Sequence, residues 1–158
     1  MYRDVTALLH QRGVGLPDIA EVVLEIQRGY YPELTIDECL AGVDAVLKKR
    51  EVQHAILTGI ALDMLAEQGK LPEPLQTIVA NDDFLFGVDE IVALSITNVY
   101  GSIGLTNFGY LDKTKPLIIG TLNAHKSGAC HTFLDDLVAA IAAAAASKIA
   151  HARRPAEQ

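Results

Sequence analysis

The sequence has no tryptophan, five tyrosines, four phenylalanines and two cysteines. Two cysteines cannot staple a disulfide scaffold, so Cys39 and Cys130 read as reduced, buried thiols. Basic residues are also scarce. Thirteen Lys and Arg face twenty Asp and Glu, and the net charge is −7. That balance excludes a nucleic-acid binder, which needs a basic face. It does not exclude a phosphate ligand, because a bound divalent cation reverses the local sign. The opening "MYRDVTALLHQRG" lacks the apolar core of a signal peptide. No run reaches the roughly 18 apolar residues of a spanning helix; the longest, Leu137 to Ala146, has about half that. A soluble, cytoplasmic protein is expected.

Other motifs are missing too. "GSIG" (Gly101 to Gly104) has no P-loop lysine and reads as a helix break. Position 136 is Asp, not the Arg of Cys-x5-Arg, so the Cys130–His131 pair does not fit a cysteine phosphatase. His125, Cys130 and His131 lack the second Cys or His pair that zinc spacing requires. No G-x-S-x-G occurs.

What is present is helical pattern. Half of the 158 residues are hydrophobic and 21% are charged, enough for one domain, 1–158, that buries about 70% of its unfolded surface. Asp4 to Arg12 reads as a helix stopped by Gly13, and Pro17 suits the first position of a second. "TIDE" (Thr35 to Glu38) is a capping box opening a third, through about Lys49. "EVQHAILTGIALDMLAEQG" is a fourth, ending at Gly69. A short helix follows Pro74, and two more segments end at Pro116. No alternating strand pattern exceeds four residues. The last helix, within "CHTFLDDLVAAIAAAAASKIAHARR", is Ala-rich on nearly every side. A helix apolar all round is buried. The expected fold is therefore all-α, a compact multi-helix domain around that helix.

The acids then divide into ordinary and unusual. Residues at i+3, i+4 and i+7 share a helix face with residue i. Asp136 stands over Ala139, Ala140 and Ala143, Asp135 over Val138, Ala139 and Ala142, and Asp89 over Val92, Ala93 and Ile96. Glu21 stands over Glu25 and Arg28, a solvated face. First-turn acids also oppose the helix dipole, and Thr132 with Asp135 has the spacing of a capping pair, so a purely structural role stays open. Buried carboxylates are otherwise paired, protonated or metal-bound, and hard cations such as Mg²⁺ suit carboxylate oxygens and phosphate. In "LDKTKP", Asp112 and Lys115 read either as an i,i+3 pair at a helix end or as a point charge for phosphate.

Three blocks, "GVDEIVALSI", "FGYLDKTKP" and "GACHTFLDDLVAAI", together resemble the phosphatidylglycerophosphatase A family in its short soluble branch from Gram-positive bacteria. They span about Gly87 to Ala142 in the family's order. The chain departs from the membrane-embedded branch in several ways. It lacks that branch's Pro-Gly-Thr-x-Gly-Ser block and its transmembrane helices, has Gly109 where an Arg is usual, and has Ala129 and His131 where Gly is common.

The resemblance implies removal of the terminal phosphate from phosphatidylglycerophosphate with Mg²⁺. It makes Asp89, Glu90, Asp135 and Asp136 metal-ligand candidates, Asp112 a candidate base, and Lys115 with Lys126 candidate phosphate binders. The implied partners are a phosphate-ester substrate, lipid or soluble, with peripheral contact at the inner membrane face. A homo-oligomer is compatible with this reading. Phe84, Leu85 and Phe86, just before the acidic helix start, are the expected lipid-facing residues if they do not simply close the core. A non-catalytic regulatory or ligand-binding protein that keeps the fold is the alternative.

Overall fold

The computed structural model of the protein describes residues 1–124 and 128–153. The helices are α1 Tyr2–Gln11, α2 Leu16–Gln27, α3 Ile36–Leu47, α4 Arg50–Glu67, α5 Leu75–Asn81, α6 Val88–Thr97, α7 Gly101–Thr114, α8 Ile118–Asn123 and α9 Leu134–Ala152. A 3-10 turn, Asn98–Tyr100, joins α6 to α7, and among the described residues there is no strand. The expected capping box opens α3: the Glu38 amide donates to Thr35 Oγ1 at 3.3 Å, and the Thr35 amide donates to Glu38 Oε2 at 2.9 Å. Pro17 sits at the second position of α2 rather than the first. The short helix α8, between Pro116 and the loop before α9, was not expected.

Helix α9 lies at the centre, with every residue from Leu134 to Ser147 buried. It is packed by α2, α3, α4, α6, α7 and α8. Ala on several faces makes this feasible, because a methyl lets a neighbouring backbone come close all round. Leu134, Leu137 and Ile141 fill the wider gaps, and each such burial contributes about 1.5–3 kcal/mol. On α4, Gly59 completes the fit: a Cβ there would lie 2.7 Å from Leu137 Cδ1 and 3.0 Å from Phe133 Cβ.

The outer elements leave apolar surface uncovered. Val88–Thr114 is apolar in composition but is broken at Gly101, whose φ of 72° and ψ of −163° lie outside helical geometry and separate α6 with its 3-10 turn from α7. The helix break read at "GSIG" is thus found at its first residue, Gly101. Ile91, Val99 and Leu105 are exposed along Val88–Thr114.

A candidate acidic site at two helix starts

Gly87, at positive φ (68°), turns the chain into α6, which places Asp89 and Glu90 at its second and third positions. Asp135 and Asp136 hold the same two positions of α9. Asp112 comes from the last turn of α7, and Lys115 is the left-handed cap that ends it, at φ 44° and ψ 53°. One cavity of about 240 Å³ is lined by all six of these residues, together with Asp82, Asp83, Phe84, Leu85, Phe86, Gly87, Asn123 and Thr132. Six of the seven sequence-predicted site residues thus meet at one place. The seventh, Lys126, lies outside the described residues.

At the centre is the Lys115 ammonium. Its Nζ donates to Asp112 Oδ1 at 2.7 Å, to Asp135 Oδ2 at 2.9 Å and to Asp136 Oδ1 at 3.2 Å. The other Asp135 oxygen accepts the Asp136 amide at 2.9 Å. Asp89 Oδ1 is buried with no hydrogen-bond partner among the described residues. Among the described residues, seven carboxylates (Asp82, Asp83, Asp89, Glu90, Asp112, Asp135 and Asp136) line the cavity against one ammonium. The whole chain carries −7, so its excess negative charge is largely gathered here.

Titration follows from this imbalance. Burial alone would lower Lys115, but Asp135, Asp112 and Asp136 outweigh it and hold the ammonium charged well above the usual lysine range. A single cation cannot satisfy every acid. Burial, with Asp135 beside it, pushes Asp136 up, and Lys115 only partly opposes the shift. Burial likewise raises Asp135 and Asp89, and burial with Asp112 and Asp89 nearby raises Glu90.

A further acid, not singled out in the sequence, holds the site in place. Asp63 of α4 is fully buried, and its carboxylate accepts the Phe133 amide at 3.1 Å and the Leu134 amide at 3.0 Å. It therefore caps α9 from another helix. Thr132 does not, since its hydroxyl donates to the Val79 carbonyl at 2.7 Å. The capping role left open for Asp135 with Thr132 gives way to this arrangement. One turn along α4, Glu67 accepts the Cys130 amide at 2.8 Å. Arg12 grips Glu67 at 2.6 and 2.9 Å and donates to the Cys130 carbonyl at 2.7 Å. Cys130 is buried, burial raises its thiol, and it reads as structural. His131 reaches the Leu122 carbonyl through Nδ1 at 2.9 Å and so ties the loop to α8.

Phe84 and Leu85 are 91% and 83% exposed at the cavity mouth. Phe86 is half-buried, with its ring edge-on to Phe133 at 5.9 Å. Of the three apolar residues expected to face lipid, only the first two do not close the core.

The model of the phosphatidylglycerophosphatase A family matches residues 6–151. The chain belongs to that family. It is similar to the uncharacterized protein YutG of Bacillus subtilis, with 60% identity over 157 residues covering 99% of this chain and 95% of the relative. The low temperature requirement C protein from Listeria monocytogenes superposes with a TM-score of 0.94 at 58% identity, covering 96% of this chain and 95% of that one. A protein of unknown function from Bacillus stearothermophilus gives 0.95 at 56% identity, covering 98% and 96%. The family membership inferred from the three blocks is therefore correct, and it extends over nearly the whole chain.

The raised acids set an unusual pH dependence. Burial raises Asp63 to about 7 against its amide bonds, and the cavity acids shift in the same direction. Between the ordinary carboxylate range and about pH 7 the folded state thus keeps protons that the unfolded chain has released. Stability then falls as pH rises through this window. Carboxylates held below their ordinary value, such as Glu67 beside Arg12, act in the opposite sense at lower pH. Urea unfolding of metal-free protein in EDTA should show a higher midpoint at about pH 5.5 than at about pH 8, with the difference reduced in Asp63→Asn. A midpoint that rises with pH would contradict it.

Proposed function

We propose that this protein is a Mg²⁺-dependent phosphomonoesterase acting on phosphatidylglycerophosphate or a closely similar phosphate ester. The observation that carries this reading is the ratio, among the described residues, of seven carboxylates to one ammonium around a single cavity in a chain of this family. A phosphate cannot enter so negative a site unless cations accompany it. The donor set fits Mg²⁺, which prefers carboxylate oxygens, keeps several waters and takes one or two carboxylates plus phosphate oxygens. Asp89 Oδ1, buried without a hydrogen-bond partner among the described residues, is an oxygen that a cation or a proton would satisfy. Among the described residues no three Asp, Glu, His or Cys side chains already form a coordinating group, so ion binding requires the cavity carboxylates to draw together.

In this mechanism Asp89, Glu90, Asp135 and Asp136 would hold the ion. Bound Mg²⁺ supplies Lewis acidity, drawing charge from the phosphoryl oxygens and from the attacking water. Asp112 accepts a proton as the water oxygen bonds to phosphorus. The ester P–O bond breaks, and the proton returns to the leaving alkoxide to give the free alcohol. Lys115 donates to the phosphoryl oxygens as their charge shifts. The amides that open α9 are already taken by Asp63, so phosphate binding falls to the ammonium and the metal. Phe84 and Leu85 at the mouth support a lipid leaving group, because diacyl chains attached to a phosphate in the cavity would emerge against them. The protein would then work as a peripheral enzyme on the cytoplasmic side of the membrane.

The non-catalytic alternative has one specific observation behind it. At Gly109, an exposed position of α7, the chain supplies no side chain where the membrane-embedded branch carries an arginine.

Phosphate release by purified protein separates the two readings. Turnover of a short-chain phosphatidylglycerophosphate with Mg²⁺, abolished by EDTA and exceeding that of soluble glycerol phosphates, is the expected result. No release from any ester would favour a binding protein. In an active protein, Asp136→Asn should lower turnover by about a hundredfold or more, as removal of an electrostatic catalytic group does. The melting temperature of the metal-free variant should stay level or rise, because a repelling buried charge is gone. Unfolding of that variant would instead assign Asp136 to the framework.

A further inference from the structure

A lysine ammonium has three N–H bonds and no lone pair. At Lys115 all three have carboxylate acceptors: Asp112 at 2.7 Å, Asp135 at 2.9 Å and Asp136 at 3.2 Å. The group is saturated. It has no donor for a phosphate oxygen while it stays where it is.

The main chain beneath it is fixed. The Lys115 amide donates to the Leu111 carbonyl at 2.8 Å, closing α7. The Lys115 carbonyl lies against Gly120, where a Cβ would approach it to 2.5 Å. Any movement therefore belongs to the four-carbon stem. The side chain keeps 24% of its surface exposed and opens into the cavity of about 240 Å³. At about 30 Å³ per water that is room for several waters, so the ammonium has space to turn.

We propose that Lys115 is an exchangeable internal cation: it neutralises Asp112, Asp135 and Asp136 until a divalent ion takes the carboxylates, and then turns to the phosphate oxygens. This rests on the reading that the cavity binds a divalent cation with a phosphate ester. Two cations of one sign compete for the same oxygens, so Lys115 weakens metal binding on its own. A phosphate gives the displaced ammonium a new partner, so phosphate and metal strengthen one another's binding. That coupling is reciprocal by linkage. The device delays charging of the site until both ligands are present.

Calorimetric Mg²⁺ titration of the metal-free full chain, with and without inorganic phosphate, tests this directly. Thermal melts at each Mg²⁺ concentration give a second readout that does not depend on turnover. Lys115→Met should bind Mg²⁺ about tenfold or more tighter than the unmodified protein, and its melting temperature should be lower without metal but climb more steeply with it. Inorganic phosphate should tighten Mg²⁺ binding by about fivefold or more in the unmodified protein and by clearly less in Lys115→Met, where only the direct metal–phosphate contact couples the two. If Lys115→Met does not fold without metal, Lys115→Gln, which keeps hydrogen bonds but no charge, takes its place with the same expectation. Equal or weaker Mg²⁺ binding by the uncharged variants, with clear binding by the unmodified protein, overturns the exchange and leaves the phosphatase reading standing. No Mg²⁺ binding by the unmodified protein even with phosphate present, and none by the uncharged variants, removes both.

Discussion

A helix buried on every side has nowhere wet to place its first turn. Helix α9 begins inside the protein, so Asp135 and Asp136 enter the interior with it. Two adjacent buried carboxylates are among the costliest arrangements a fold can hold unless cations or protons answer them. Lys115 is the fold's own answer, and its placement accounts for much of the local architecture. The left-handed end of α7, the turn through Pro116 and the close approach of Gly120 all set where the base of that side chain stands. The opposite end of the same constraint is Asp63. It takes the Phe133 and Leu134 amides, so the start of α9 is held by α4 rather than by a local cap.

The fold was legible because its signals are local. Ala139 to Ala146 permits close approach on all faces, and that alone identified the central helix. "TIDE" carries its own hydrogen bonds, and Gly13, Gly69 and Pro116 stop helices through backbone geometry. Asp89 and Asp136 stood out because an acid above an apolar stripe conflicts with the helix periodicity around it. The same comparison passed over Asp63. In "EVQHAILTGIALDMLAEQG" it has Ala66 and Glu67 on its face, an ordinary amphipathic setting, and nothing local reveals that its partners lie about seventy residues further on. Asp82 and Asp83 were likewise in plain view, but their place on the cavity wall depends on how α5 and α6 meet. Lys115 was singled out for the right chemistry. That it would be bound by three acids at once depends on tertiary contacts between α7 and α9.

For Thr132 and Phe86 a distant partner decides between the two roles that the local pattern left open. Each has a local pattern that fits a role, a capping hydroxyl in one case and an exposed apolar residue in the other. Each finds a stronger distant partner, the Val79 carbonyl and the Phe133 ring respectively. Short-range motifs give way when a buried carbonyl or a core ring is within reach, because an unsatisfied buried polar atom or an exposed aromatic face costs more than a lost cap.

The central claim is that the two acid pairs at the starts of α6 and α9 serve one divalent ion. A crystal structure grown with Mn²⁺ and a phosphate analogue, with the ion located from its anomalous signal, tests this most directly. The account predicts the ion inside the cavity, held by carboxylates from both Asp89–Glu90 and Asp135–Asp136, with Lys115 Nζ turned from the aspartates to the anion. An ion bound elsewhere, or a cavity in which Lys115 still holds all three aspartates at saturating Mn²⁺, would contradict it.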